Sequence, residues 1–173
     1  MPNCYSVFHI NRLEPKTMRH LAIALLTAIS ASPFAAEPIT GPEDPITIYT
    51  TGYPFDEVKE NVQMAITGQG MLISGTLHIS DMLERTAKDT GFEKLYEKAE
   101  SLEFCNLQLS YLMSSAHPAN LTTCPLTIGI YVKAGEPDTT YVAYQRASLL
   151  GESREVAEKL DNLLDLLVRE AIE

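Results

Sequence analysis

Two β-patterned segments stand six residues apart near the end of the chain, and they limit the fold more than any other feature. From Leu126 to Lys133, Ile128, Ile130 and Val132 alternate with Thr127, Gly129 and Tyr131. Thr140-Tyr141-Val142-Ala143-Tyr144 follows across the turn signal Gly135-Glu136-Pro137-Asp138. Side chains of a strand point alternately to its two faces, so this pattern reads as strands with one buried face. So short a connection allows only antiparallel pairing. The sheet is therefore expected to be antiparallel at least here.

The final segment is helical. Val156, Leu160, Leu163, Leu164, Leu167, Ala171 and Ile172 form one stripe, with Glu155, Glu158, Lys159, Asp161 and Arg169 largely elsewhere. Earlier, Ile46-Thr47-Ile48-Tyr49-Thr50-Thr51 alternates as a strand. Phe55, Val58, Val62, Ala65 and Ile66 then fall on one helical face, which Gly68 and Gly70 end. Met71 to Ile79 suits a strand, with Gly75 marking a bulge or a close backbone approach. Asp81-Met82-Leu83-Glu84 reads as a capping box opening a short helix that ends near Thr90-Gly91. Glu93 to Glu100 reads as a polar helical turn or two on the surface. Leu102-Glu103-Phe104 reads as a short strand running into Cys105. Asn106 is placed to cap a helix whose face carries Leu107, Tyr111 and Leu112, broken by His117-Pro118. The order is β-α-β-α-β-α-β-β-α, an α+β domain over residues 46–173 with helices packed on one face of an antiparallel sheet.

The N-terminal part is of another kind. Lys16, Arg19 and His20 precede the apolar run Leu21 to Ile29, then the small Ser30-Ala31-Ser32. Basic, apolar and small in that order is the pattern of a secretory signal, and the run is far short of the roughly 20 residues that cross a bilayer. The competing reading, a buried core helix, must contend with Pro33, Pro38, Gly41, Pro42 and Pro45 directly after it. Residues 1–36 are thus read as a leader, with translation expected to start at Met18 and cleavage near Glu37, within two residues. Residues 37–45 read as a Pro-rich linker. The expectation is an exported protein, periplasmic in a Gram-negative host, with no membrane span after cleavage.

Charge excludes some partners. Residues 1–36 hold Arg12, Lys16, Arg19 and Glu14, so the remainder carries 10 basic and 22 acidic residues, a net of −12. Such a surface repels nucleic acid and anionic lipid. Hydrophobic residues make up 45 % of the chain, ample for a core.

The chain from about Tyr49 to Glu152 resembles the bacterial domain-of-unknown-function 302 family. Phe55-Asp56-Glu57 stands where that family opens its first helix. His78 stands at the His of its Asp-His pair, with Leu77 in place of the Asp. Phe104-Cys105-Asn106-Leu107 matches a phrase such as Ala-Cys-Asn-Pro, with Leu107 in place of the Pro; Leu112-Met113, Pro118 and Cys124-Pro125-Leu126 follow in order. The two departures mark a divergent member. The resemblance implies a TATA-binding-protein-like α+β fold, gives His78, Asn106, Met113 and Pro118 as motif positions, and implies no activity.

The sharpest chemical feature is Cys105 with Cys124, the cysteines left once Cys4 departs with the leader. Three readings stand open: a structural disulfide, a redox or sulfur-handling thiol pair, and two unpaired buried thiols. At a helix N-terminus, Cys105 is expected to have a lowered pKa. His78, Met113 and His117 with the thiols are the candidates for a soft-metal copper site, although Pro118 disfavours helix at His117. There is no Cys-x-x-Cys, no Gly-x-Ser-x-Gly around Ser74, Ser110, Ser114 or Ser115, and no Gly-rich phosphate loop, and no cofactor is expected. Asn120-Leu121-Thr122 fits a glycosylation sequon. Glu57, Glu60, Asp81 and Glu84 read as caps and solvated faces, none of them a catalytic carboxylate. The sequence contains no motif that names a reaction and thus reads as a binding domain that takes a second copy of itself or a small ligand. The rivals are a thiol redox protein and a copper-binding accessory protein.

Overall fold

The computed structural model describes residues 36–173. They form one five-stranded sheet with the strand order β1-β5-β4-β3-β2, every neighbouring pair antiparallel. The elements in chain order are β1 (Ile46–Thr51), α1 (Phe55–Gly68), β2 (Ile73–His78), α2 (Ile79–Thr90), β3 (Tyr96–Phe104), α3 (Leu107–Ala116), a 3₁₀ turn (Pro118–Thr123), β4 (Leu126–Lys133), β5 (Thr140–Gln145) and α4 (Arg154–Ile172). The α+β class and the element order expected from the sequence both hold. The segment called a leader lies outside the described residues, Ala36 excepted.

Alternation sorts the sheet into two faces. Leu126, Ile128, Ile130 and Val132 of β4, Leu102 and Phe104 of β3, Val142 and Tyr144 of β5 and Tyr49 of β1 enter the core. Against them pack α1, through Phe55, Val58, Val62, Ala65 and Ile66, and α4, through Leu160, Leu164, Leu167, Val168, Ala171 and Ile172. α1 also joins the two edge strands, β1 and β2, by crossing the sheet.

The structure departs from the sequence expectations at four places. α2 begins at Ile79 straight after β2, and the side chain of His78 at its N-cap accepts no capping hydrogen bond from the helix. Asp81 therefore lies inside the first turn, where it complements the helix dipole but caps nothing. Tyr96 to Glu100 is strand: β4 supplies the ladder, and a register shift between Tyr96 and Lys98 breaks the alternation that would have revealed it. β2 starts at Ile73, two residues later than read; the register shift between Ile73 and Gly75 is the bulge expected at Gly75. On α3 it is Met113 that enters the core, whereas Leu107 and Tyr111 are 88 % and 73 % exposed.

The segment before β1 follows that strand closely. The Ile39 amide donates to the Ile48 carbonyl at 2.8 Å, and the Ile48 amide donates to Thr40 Oγ1 at 3.0 Å.

The α4 seam gives a stability test. Leu164 is buried and Leu163 only half so. Leu164→Ala should cost about 2–5 kcal/mol in urea unfolding, as buried Leu truncations do, and Leu163→Ala clearly less.

Candidate functional site

The register of β3 against β4 pairs Phe104 with Leu126. Cys105 directly follows the first of these, and Cys124 stands two residues before the second. Antiparallel neighbours put those strand ends side by side, and the sulfurs lie 2.9 Å apart as free thiols sharing a hydrogen bond. Ser110, one turn into α3, brings its Oγ to 3.1 Å from Cys124 Sγ. Asn106 fixes that helix as expected, its Oδ1 accepting from the Leu109 amide at 3.0 Å.

The two thiols differ in access. Cys105 is exposed, while Cys124 is half-buried against the core. Beside Cys105 opens a groove of about 540 Å³ with Met71, Leu72, Ser74, Asn106 and Leu107 in its wall and no charged residue in its lining. Loss of solvent around the sulfur, then the neighbouring Cys124, push the Cys105 thiol up to about 11, while a hydrogen bond from the Leu126 backbone pulls the other way. This corrects the expected lowering. Burial of the sulfur disfavours the thiolate and outweighs whatever the start of α3 contributes, while Asn106 takes the Leu109 amide of that first turn.

The metal candidates do not converge. His78 Nδ1 lies 3.3 Å from Glu100 Oε1, and Glu100 Oε2 is 2.5 Å from Lys59 Nζ. Met113 is in the core. His117 Nδ1 accepts from the Ala119 amide at 3.1 Å at the head of the 3₁₀ turn, whose first residue is Pro118. Among the described residues no three His, Cys, Asp or Glu side chains are grouped to hold a metal ion.

The sequon is closed as well. Asn120 is buried, donating from Nδ2 to the Met113 and Leu150 carbonyls and accepting from the Leu150 amide. It ties α3 to the loop before α4, where Gly151 (φ +79) brings its Cα so close that a Cβ would stand 2.6 Å from the Ala116 carbonyl oxygen.

The family model described as domain of unknown function DUF302 matches residues 47–169. The chain belongs to this family. The DUF302 match takes in the whole sheet except Ile46 and most of α4. Among solved structures the DUF302 chain is similar to an uncharacterized conserved DUF302 protein from Bacillus stearothermophilus, at 14 % identity and a TM-score of 0.59, covering 73 % of this chain and 98 % of that one. That likeness is one of fold. No curated protein matches the sequence.

Two clusters of this DUF302 domain escaped sequence reading because their members lie far apart in the chain. One is Lys59–Glu100–His78, between α1 and the β2–β3 edge. The other is centred on Asp165 of α4, which accepts from Tyr49 and, at 3.3 Å, from Tyr144 through Oδ1, and from Arg169 Nε at 2.7 Å through Oδ2. Arg169 also lies over the Tyr49 ring, 5.3 Å from its centroid. Burial alone would raise the Asp165 carboxyl, but the hydrogen bonds from Tyr49 and Arg169 outweigh it and hold it below the usual carboxylate range. Burial and the Asp165 hydrogen bond raise the Tyr49 phenol.

The sign of the pH effect follows. A carboxylate depressed on folding stabilises the native state above its unfolded pKa of about 3.9, and that stability drains away as pH falls through the lower folded value. Asp165→Asn should therefore cost about 1–2 kcal/mol at neutral pH. It should also flatten the loss of urea resistance between neutral pH and the acid range. Parallel acid profiles for variant and wild type would show that Asp165 is not the group responsible.

Proposed function

We propose that this protein is an exported dithiol protein whose Cys105 and Cys124 exchange with disulfides of an external partner and close reversibly on each other. The observation that carries the reading is the pair itself: sulfurs 2.9 Å apart, one exposed beside a groove and one half-buried behind it. Export rests on the basic, apolar and small order of residues 16–32, and it would place the pair where disulfides persist.

The steps balance as ordinary thiol–disulfide exchange. The Cys105 thiolate attacks one sulfur of the partner disulfide, and the other sulfur leaves as a thiolate. Cys124, already in contact, then attacks Cys105 in the mixed disulfide and releases the second partner thiolate. Two protein thiols are oxidised, one disulfide is reduced to two thiols, and the protons pass to the departing thiolates. Ser110 Oγ, within hydrogen-bond distance of Cys124 Sγ, can donate to the resolving sulfur as it becomes a thiolate.

A Cys105 thiol raised to about 11 makes this a slow exchanger at neutral pH, unlike the low-pKa oxidoreductases. The physical role that fits is a redox-responsive closure of a small domain more than rapid turnover.

Mixing the protein with glutathione disulfide tests this directly. The wild type should lose both thiols without retaining glutathione, and Cys124→Ser should hold one glutathione on Cys105 by intact mass. Alkylation of Cys105 in that variant should keep accelerating with pH beyond the ordinary thiol range of about 8.5. Two thiols still titratable after long exposure would sink the proposal, and a rate that levels off below neutrality would sink the raised-pKa account.

A further inference from the structure

α2 is amphipathic, yet no described side chain of it is buried. Its apolar positions Ile79, Met82, Leu83 and Ala87 recur at helical spacing, and they do not join the core cluster of α1, α4 and the sheet. Met82, Leu83 and Ala87 turn instead toward the segment that leads into β3. Between the two opens a groove of about 560 Å³ walled by Met82, Leu83, Ala87, Phe92, Leu95 and Tyr96. Phe92 and Leu95 are 71 % and 62 % exposed, Met82 and Leu83 47 % and 37 %. A volume of this size, with a mainly apolar wall and a few polar groups, is that of a small-molecule site. Large side chains left this open at one place mark an interaction site more often than chance exposure does.

Charge identifies the occupant. The lining also contains the carboxylates of Asp81, Glu84, Glu93 and Glu97 against the single ammonium of Lys94. That ammonium is already matched, 2.6 Å from Glu97 Oε2. An anionic head would meet carboxylates on most sides, and a neutral one would leave the excess charge uncompensated. We infer that the groove between α2 and the 92–97 segment binds a single-chain amphiphile with a cationic head, its alkyl chain on Leu83 and Phe92 and its head among Glu84, Glu93 and Asp81. Neither cysteine lines this groove, so the inference stands apart from the thiol exchange.

The probe is decyltrimethylammonium below its micelle concentration, followed by calorimetry on the full domain. One saturable site should appear, tighter for this cation than for a decyl glucoside and tighter for the glucoside than for decyl sulfate. Each CH₂ removed from the chain should weaken binding up to roughly fourfold, the equivalent of its transfer from water. Leu83→Gln and Phe92→Gln change exposed positions and should leave the melting curve in place while weakening the cation at least tenfold. The double change Glu84→Gln with Glu93→Gln should erase most of the preference for cation over glucoside. Absence of saturation overturns the inference, and so does binding that the two apolar variants leave unaltered. A dimer in sedimentation that Leu83→Gln dissociates, with no amphiphile bound by the wild type, would equally overturn it and assign the groove to a second copy of the chain.

Discussion

The pairing of β3 with β4 governs the rest of this molecule. It runs from Tyr96 opposite Lys133 to Phe104 opposite Leu126 and contributes Leu102, Phe104, Ile128 and Ile130 to the core. Its register also fixes the chemistry at both ends. Where the ladder stops at Phe104 and Leu126, the chain leaves through Cys105 on one side and arrives through Cys124 on the other, and the sulfurs meet. Because the side-chain period of a strand is two residues, a slip of one would expose Leu102 and Phe104 and separate the thiols in the same stroke. Core burial and thiol contact are therefore one constraint.

The same strand separates the two sites. Tyr96, at its start, walls the apolar groove under α2, and Cys105 follows its last residue. At about 3.3 Å per residue these lie roughly 30 Å apart, further than a Debye length at physiological salt. Charge in the groove should thus have little hold on the thiols. The helix layer serves a third purpose. Asp165 ties α4 to Tyr49 of β1 and Tyr144 of β5, which secures the far edge of the sheet with one carboxylate.

Where one residue's neighbours in sequence set its state, the sequence was legible. β1, β4, the start of α1 and the stripe of α4 came through because alternation or helical spacing over six or more residues admits one reading. Asn106 was legible as a cap because a cap is a local hydrogen bond. The failures sit where a distant partner decides. Glu97, Lys98 and Glu100 look helical by themselves, and they are strand because β4 pairs with them. Leu107 and Tyr111 look like a core face, yet α3 is turned so that Met113 fills the space. Cys105 and Cys124 could be named as a pair from their type, whereas their contact, the role of Ser110 and the upward pull on Cys105 all required the register.

The folded β3–β4 register holds the two thiols in bonding reach. By linkage, a fold that favours the disulfide must itself be favoured by the disulfide. The direct measurement is the thiol–disulfide equilibrium of Cys105 and Cys124 against glutathione buffers, in native conditions and again in concentrated urea. The equilibrium constant for closing the bond should be substantially larger in the folded protein than in the unfolded chain. An equal or smaller constant in the folded protein would mean that the native geometry does not hold the pair together.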